Sequence, residues 1–153
     1  IKRRYVMFKP KRILVTTDFS DESAAALRET VGIGEQFRST IYLLHVIPEI
    51  EQCAVDYCLS ESALLAEKNK LRDEAEQKMD EMIRSIDRDR MVQIVKEIRF
   101  GGAVDAIVSF EHERAIDLVV AAPHRQKRRW LGDTHHLMKD LVNRSACETI
   151  IVR

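Results

Sequence analysis

The sequence predicts a three-layer α/β sandwich, a five-stranded parallel β-sheet in the order 3-2-1-4-5 with helices on both faces. Three observations carry that expectation. Short β-branched apolar runs alternate along the chain with longer segments of helical period, the pattern that gives a parallel sheet flanked by helices. The runs are almost wholly apolar, as strands covered on both faces are. The first of them ends in a polar turn carrying Asp18, where a helix opens at once. Such strand ends are where open α/β sheets place ligands.

The first strand is placed at about Arg12 to Thr17. A helix follows from Ser20, a suitable N-cap, with Asp21 and Glu22 in the first turn where acids favour the helix dipole. Ala24, Leu27, Val31 and Gly34 form its expected inner stripe, and Gly32 and Gly34 are expected to weaken its end. The second strand, Ile41 to Ile47, stops at Pro48. Residues 49–60 carry Cys53 and Cys58 and show no clean period.

A long helix is expected from about Ser60 to Arg88, with Leu64, Leu71, Ala75, Met79, Met82 and Ile86 recurring at threes and fours. Its other face is dense in charge and reads as solvated, with Glu74 and Lys78 spaced as an i,i+4 pair. The third strand, Val92 to Ile98, has an alternating tail that suits a sheet edge. Gly101-Gly102 turn the chain into a helix from Ala103 to Arg114, with Val104, Ile107, Val108, Phe110 and Glu111 on its core side. The fourth strand is Ile116 to Ala122. A basic loop, a helix from about Thr134 to Arg144 and a last strand at Thr149 to Val152 complete the chain. Right-handed crossovers with one reversal of winding give the flavodoxin-like strand order. The reversal lies between the first and fourth strands, so Asp18 and the 122–136 segment converge on one crevice.

At 153 residues the chain is the size of one domain and can bury roughly 70% of its unfolded surface. Residues 11–153 are read as that domain and residues 1–10 as an N-terminal extension, the first six being a tag or an upstream segment before Met7. Basic and acidic residues number 25 each, which argues against wholesale binding to nucleic acid or an anionic membrane. No run approaches the roughly 18 apolar residues of a membrane span. The basic start lacks the apolar region of a signal peptide, so a cytoplasmic protein is expected. The three cysteines, Cys53, Cys58 and Cys147, are expected as unligated thiols.

Four segments carry a resemblance: Ile13-Leu-Val-Thr-Thr-Asp-Phe-Ser20, Leu43-Leu-His-Val46, Asp117-Leu-Val-Val120 and Asn143-Arg-Ser-Ala-Cys-Glu-Thr-Ile-Ile-Val152. In this order and spacing they resemble the universal stress protein family over nearly all of Lys11 to Arg153. The resemblance implies a cytoplasmic stress-response protein that forms a homodimer through its last strand, here 148–152. One branch of the family binds ATP through G-x2-G-x9-G-(S/T), and the other has lost that motif. Counted back from Asn143, the four diagnostic positions are Ala122, Arg125, His135 and His136, with Gly132 three residues too early. Asp18 matches a position contacting the ribose or phosphate region, Val46 one whose backbone meets adenine, and Gly101 the glycine opening the third helix.

Arg125 places a long side chain where a glycine backbone would approach phosphate, and the two histidines fill space the phosphates would use. The loop is nonetheless basic at His124, Arg125, Lys127, Arg128 and Arg129, and arginines bind phosphate by charged bidentate contacts. The plain reading of this loop is a solvated one, with Trp130 its single aromatic. His124, His135 and His136 with Cys53 or Cys58 have metal-ligating chemistry, but adjacent helical histidines point about 100° apart, and no metal site is expected. No nucleophile elbow, Walker A motif or pyrophosphate loop occurs, so no catalytic residue is assigned.

The leading expectation is a homodimeric interaction module acting on a protein partner, without high-affinity ATP binding. The alternative is a sensor of ATP or another adenine nucleotide, held by Asp18 and the basic loop 124–129 in place of the glycines. A slow ATP hydrolase is the third reading.

Overall fold

The computed structural model describes residues 8–50, 58–123 and 134–152, leaving aside the side chains of residues 134 and 135. Its elements run β1 (Arg12–Thr17), α1 (Asp21–Phe37), β2 (Thr40–Ile47), α2 (Glu61–Ile86), β3 (Gln93–Phe100), α3 (Ala103–Arg114), β4 (Leu118–Ala121), α4 (Thr134–Arg144) and β5 (Glu148–Ile151). The five strands pair in parallel in the order β3-β2-β1-β4-β5, as expected.

Period-2 alternation divides β1, β2 and β4 between two cores. Ile13, Val15, Ile41, Leu43, Leu118 and Val120 face α1 and α2, where Leu27, Ala75 and Met79 meet them. Leu14, Leu44, Val119 and Ala121 face α3 and α4, where Ile107, Phe110 and Leu141 meet them. Full burial of an aliphatic side chain of this kind contributes about 1.5–3 kcal/mol.

Ser20 caps α1 by accepting from the Ser23 N–H at 3.2 Å, and Ser60 caps α2 by accepting from the Ala63 N–H at 3.2 Å. The end of α1 departs from expectation. The helix runs through Gly32 and Gly34 and stops at Arg38 in the left-handed region. Gly34 is needed for space: a Cβ there would lie 2.9 Å from Val92 Cγ1 and 3.0 Å from Ile41 Cδ1. Ala24 is only half-buried, and the inner stripe includes Ser23 and Thr30 instead. Both hydroxyls are satisfied locally, Ser23 Oγ on Ser20 O at 2.9 Å and Thr30 Oγ1 on Ala26 O at 2.7 Å, so their burial leaves no orphaned group.

The other corrections are local. α2 ends at Ile86 because Asp87, buried, turns back to accept from the N–H of Met91 at 3.0 Å. β4 begins only at Leu118, since the Asp117 carboxylate accepts from the N–H groups of Lys11 and Arg12, both at 2.8 Å, and ties the two strand starts together. Glu74 and Lys78 form no ion pair; Lys78 Nζ lies over the Phe19 ring, 5.5 Å from its centre. Cys147 is a free thiol as expected, but Cys58 is disulfide-bonded, against expectation. Cys53 lies outside the described residues.

Candidate functional site

The β1–α1 turn builds the floor of the site. Asp18 Oδ1 accepts from both the N–H and the hydroxyl of Ser20, which fixes the carboxylate at the carboxyl end of the sheet. Phe19 then takes a positive φ of 65°, a left-handed conformation costing a non-glycine residue about 1–2 kcal/mol. Two contacts hold it there. Its N–H donates to Thr17 Oγ1 at 3.0 Å, and its ring packs on His45 with centroids 4.4 Å apart. His45 Nδ1–H donates to Thr17 O at 2.8 Å, which orients the ring at the end of β1.

A second turn, β3–α3, closes the side. The Gly101 N–H donates to Ile47 O at 2.9 Å, and Gly101 holds a φ of 126° that only glycine adopts freely. This lays the start of α3 against the end of β2.

Between these turns opens a cavity of about 650 Å³, within the range of small-molecule pockets. Asp18 and Ala122 line it from the ends of β1 and β4, the two strands that flank the reversal in winding. From the α3–α4 side come Leu44, Val46, Ala103, Ile107, Leu137 and Met138. From the α1–α2 side come Ser23, His45, Leu71, Glu74, Ala75 and Lys78. The cavity therefore straddles the sheet's carboxyl edge, with an apolar half over α3 and α4 and a mixed, charged half over α2.

Of the residues singled out in the sequence, Asp18, Val46 and Ala122 come together in this lining. Gly101 shapes the neighbouring turn without lining the cavity, and His136 is exposed and also outside the lining. His124, Arg125 and the side chain of His135 lie outside the described residues, as do the rest of the basic loop and Trp130. Four α2 residues, Leu71, Glu74, Ala75 and Lys78, were missed as site residues. Their spacing of i, i+3, i+4 and i+7 marks one helix face, a signal obscured because two of the four are charged. Among the described residues, no three His, Cys, Asp or Glu side chains are grouped to hold a metal.

Beyond the cavity, β5 is an edge strand that leaves Ile150 42% and Ile151 36% exposed. Just before it, burial pushes the Cys147 thiol above its ordinary pKa, and a hydrogen bond with Ser145 partly offsets that shift. Among the described residues, no helix is long and apolar enough to cross a membrane.

The sequence profile described as the universal stress protein family matches residues 9–153. No match was found among curated proteins. Among solved structures, the chain is similar to a universal stress protein UspA from Lactobacillus plantarum, at 22% identity and a TM-score of 0.73, covering 94% of this chain and 97% of that one. It is similar to a universal stress protein in complex with cAMP, at 21% identity and a TM-score of 0.59, over 95% and 98% of the two chains. A universal stress protein from Archaeoglobus fulgidus in complex with dAMP is similar at 16% identity and a TM-score of 0.64, over 95% and 100%. With the parallel sheet, its switch-point cavity and a profile match spanning nearly the whole sequence, the chain belongs to the universal stress protein family.

Proposed function

We propose that this universal stress protein binds an adenine nucleotide in the switch-point cavity, without the glycine phosphate cradle of the family's ATP-binding branch. The observation that carries this reading is the open cavity of about 650 Å³ lined by Asp18 and Val46. Its apolar half suits a purine, and the Asp18 carboxylate at the strand end suits ribose hydroxyls. Two structures of the same fold hold cAMP and dAMP, which supports an adenine ligand here. ATP in the glycine-cradled pose is disfavoured, because Arg125 and His135 stand where that motif has glycine.

The test is to denature protein purified without added nucleotide, assay the supernatant for adenine nucleotides, and titrate adenosine, AMP and ATP by calorimetry. Binding is expected, and Asp18→Ala should weaken it by about 1.5–3 kcal/mol, the loss of a charged hydrogen bond. No bound nucleotide and no heat at millimolar concentrations would defeat the proposal.

A second reading concerns assembly. The exposed Ile150 and Ile151 on a short edge strand favour a homodimer paired along β5, since unprotected apolar edges invite pairing. Such a dimer would act as an interaction module for a further protein partner. Ile150→Lys is expected to give a monomer by sedimentation, and an unchanged mass would reject the β5 interface. Cytoplasmic residence belongs to the same reading, and the disulfide at Cys58 is the observation that weighs against it.

A further inference from the structure

The charged half of the cavity specifies more than an adenine ligand. Lys78, from α2, is the one lysine or arginine among the described residues that line the cavity, and it stands with two carboxylates, Asp18 and Glu74. Its ammonium is held over the Phe19 ring, 5.5 Å from the ring centre, and Phe19 directly follows Asp18 in the turn at the cavity floor. Cation–aromatic contact places the charge in advance instead of leaving it on a freely rotating stem. The remaining lining is largely apolar, with the Thr17 and Ser23 hydroxyls bonded to each other at 3.1 Å.

We infer that Lys78 supplies the positive charge for the ligand's phosphate, and that the cavity selects a nucleoside monophosphate over a triphosphate. The inference rests on the adenine-nucleotide reading above. A phosphate monoester carries about two negative charges at neutral pH, which a single lysine answers in part. A triphosphate adds further charge that would face Asp18 and Glu74, and like charges in a partly desolvated cleft repel. Lys78 here is a specificity-determining residue, placed by α2 and by its contact with the Phe19 ring.

The experiment is calorimetry with adenosine, AMP and ATP on the wild type, Lys78→Ala and Glu74→Gln, at low and high salt. The wild type should bind AMP more tightly than either adenosine or ATP, with AMP binding weakened by salt and adenosine binding indifferent to it. Lys78→Ala should weaken AMP about tenfold, the size of a lost charged hydrogen bond, and leave adenosine unchanged. Glu74→Gln should strengthen AMP several-fold by removing a competing carboxylate. AMP affinity unchanged in Lys78→Ala, with adenosine still binding, would overturn this inference alone. ATP binding more tightly than AMP and ignoring Lys78 would also overturn it, and would move phosphate recognition to the basic segment 124–129. Absence of binding by adenosine and AMP alike would remove the nucleotide reading itself.

Discussion

Replacing Glu111 by alanine should destabilise this protein more than any surface change of similar size. Glu111 is 3% exposed near the end of α3. One carboxylate oxygen accepts from the Ser145 hydroxyl at 2.9 Å and the other from the Ala146 N–H at 2.9 Å. Those donors begin the turn that aims the chain into β5. A hydrogen bond to an ionised acceptor contributes about 1.5–3 kcal/mol, so two give about 3–6 kcal/mol before correction. Two effects reduce that figure. The buried carboxylate carries a desolvation cost that alanine removes. Ser145 also reaches Cys147 O at 3.2 Å and keeps a partner in the variant. The expected loss is therefore about 2–4 kcal/mol, a large share of the roughly 5–15 kcal/mol of a typical domain. Urea unfolding followed by circular dichroism should show a lower midpoint with an unchanged slope. Hydrogen exchange should quicken at Val152, whose N–H donates to Ala121 O at 2.9 Å, before it quickens in β1. A double-mutant cycle with Ser145→Ala should give a coupling of about 1 kcal/mol. A loss below about 0.5 kcal/mol, within the range of ordinary surface substitutions, would refute the claim that this carboxylate anchors β5.

Gly34→Val should destabilise by about 2–3 kcal/mol in the same assay, because overpacking against Val92 and Ile41 outweighs the gain in helix propensity; a stabilised variant would show that the contact relaxes freely. Burial raises the Cys147 pKa, so the folded state favours the neutral thiol. That contribution to stability is present below the ordinary thiol pKa and is lost as pH rises through the folded value. Alkylation of Cys147 at pH 7.5 should accordingly be slower than that of a cysteine peptide and should accelerate only above the ordinary thiol range of about 8.5; labelling as fast as the peptide at pH 7.5 would contradict the burial.

The strands were legible because parallel strands covered on both faces must be apolar on both. Ile13, Leu14 and Val15 show this, all fully buried but divided between two cores. Buried polar residues were hidden for the converse reason. Ser23 and Thr30 face inward because their hydroxyls bond to their own helix, and hydropathy cannot register a donor that finds a local acceptor. Gly34 reads as a helix breaker until Val92, far along the chain, is seen to occupy the space beside it. Asp18 was legible at the site because it closes an apolar run within a few residues. Lys78 was not, since its spacing places it on one face of α2 with Leu71, Glu74 and Ala75 but does not say that this face meets the cavity at the carboxyl edge of the sheet. The disulfide at Cys58 was missed because an odd cysteine count describes the whole chain and says little of one pair.

In the proposed site, the Lys78–Phe19–His45 layer would separate two parts of ligand recognition that sequence comparison tends to merge. Phe19 comes from the turn after β1, His45 from β2 and Lys78 from α2, and none belongs to the loop following β4. The strain in the Phe19 backbone is held by a hydrogen bond to Thr17 and by the His45 ring, itself tied to the Thr17 carbonyl. Asp18, one residue earlier, accepts from the Ser20 N–H, a bond internal to the β1–α1 turn. Replacement of glycine by Arg125 or His135 alters what can cradle a phosphate chain, whereas the Phe19–Thr17 and Asp18–Ser20 bonds involve neither position. A base-and-ribose site can therefore outlast the triphosphate motif, and loss of the glycines alone is weak grounds for concluding that the crevice is empty.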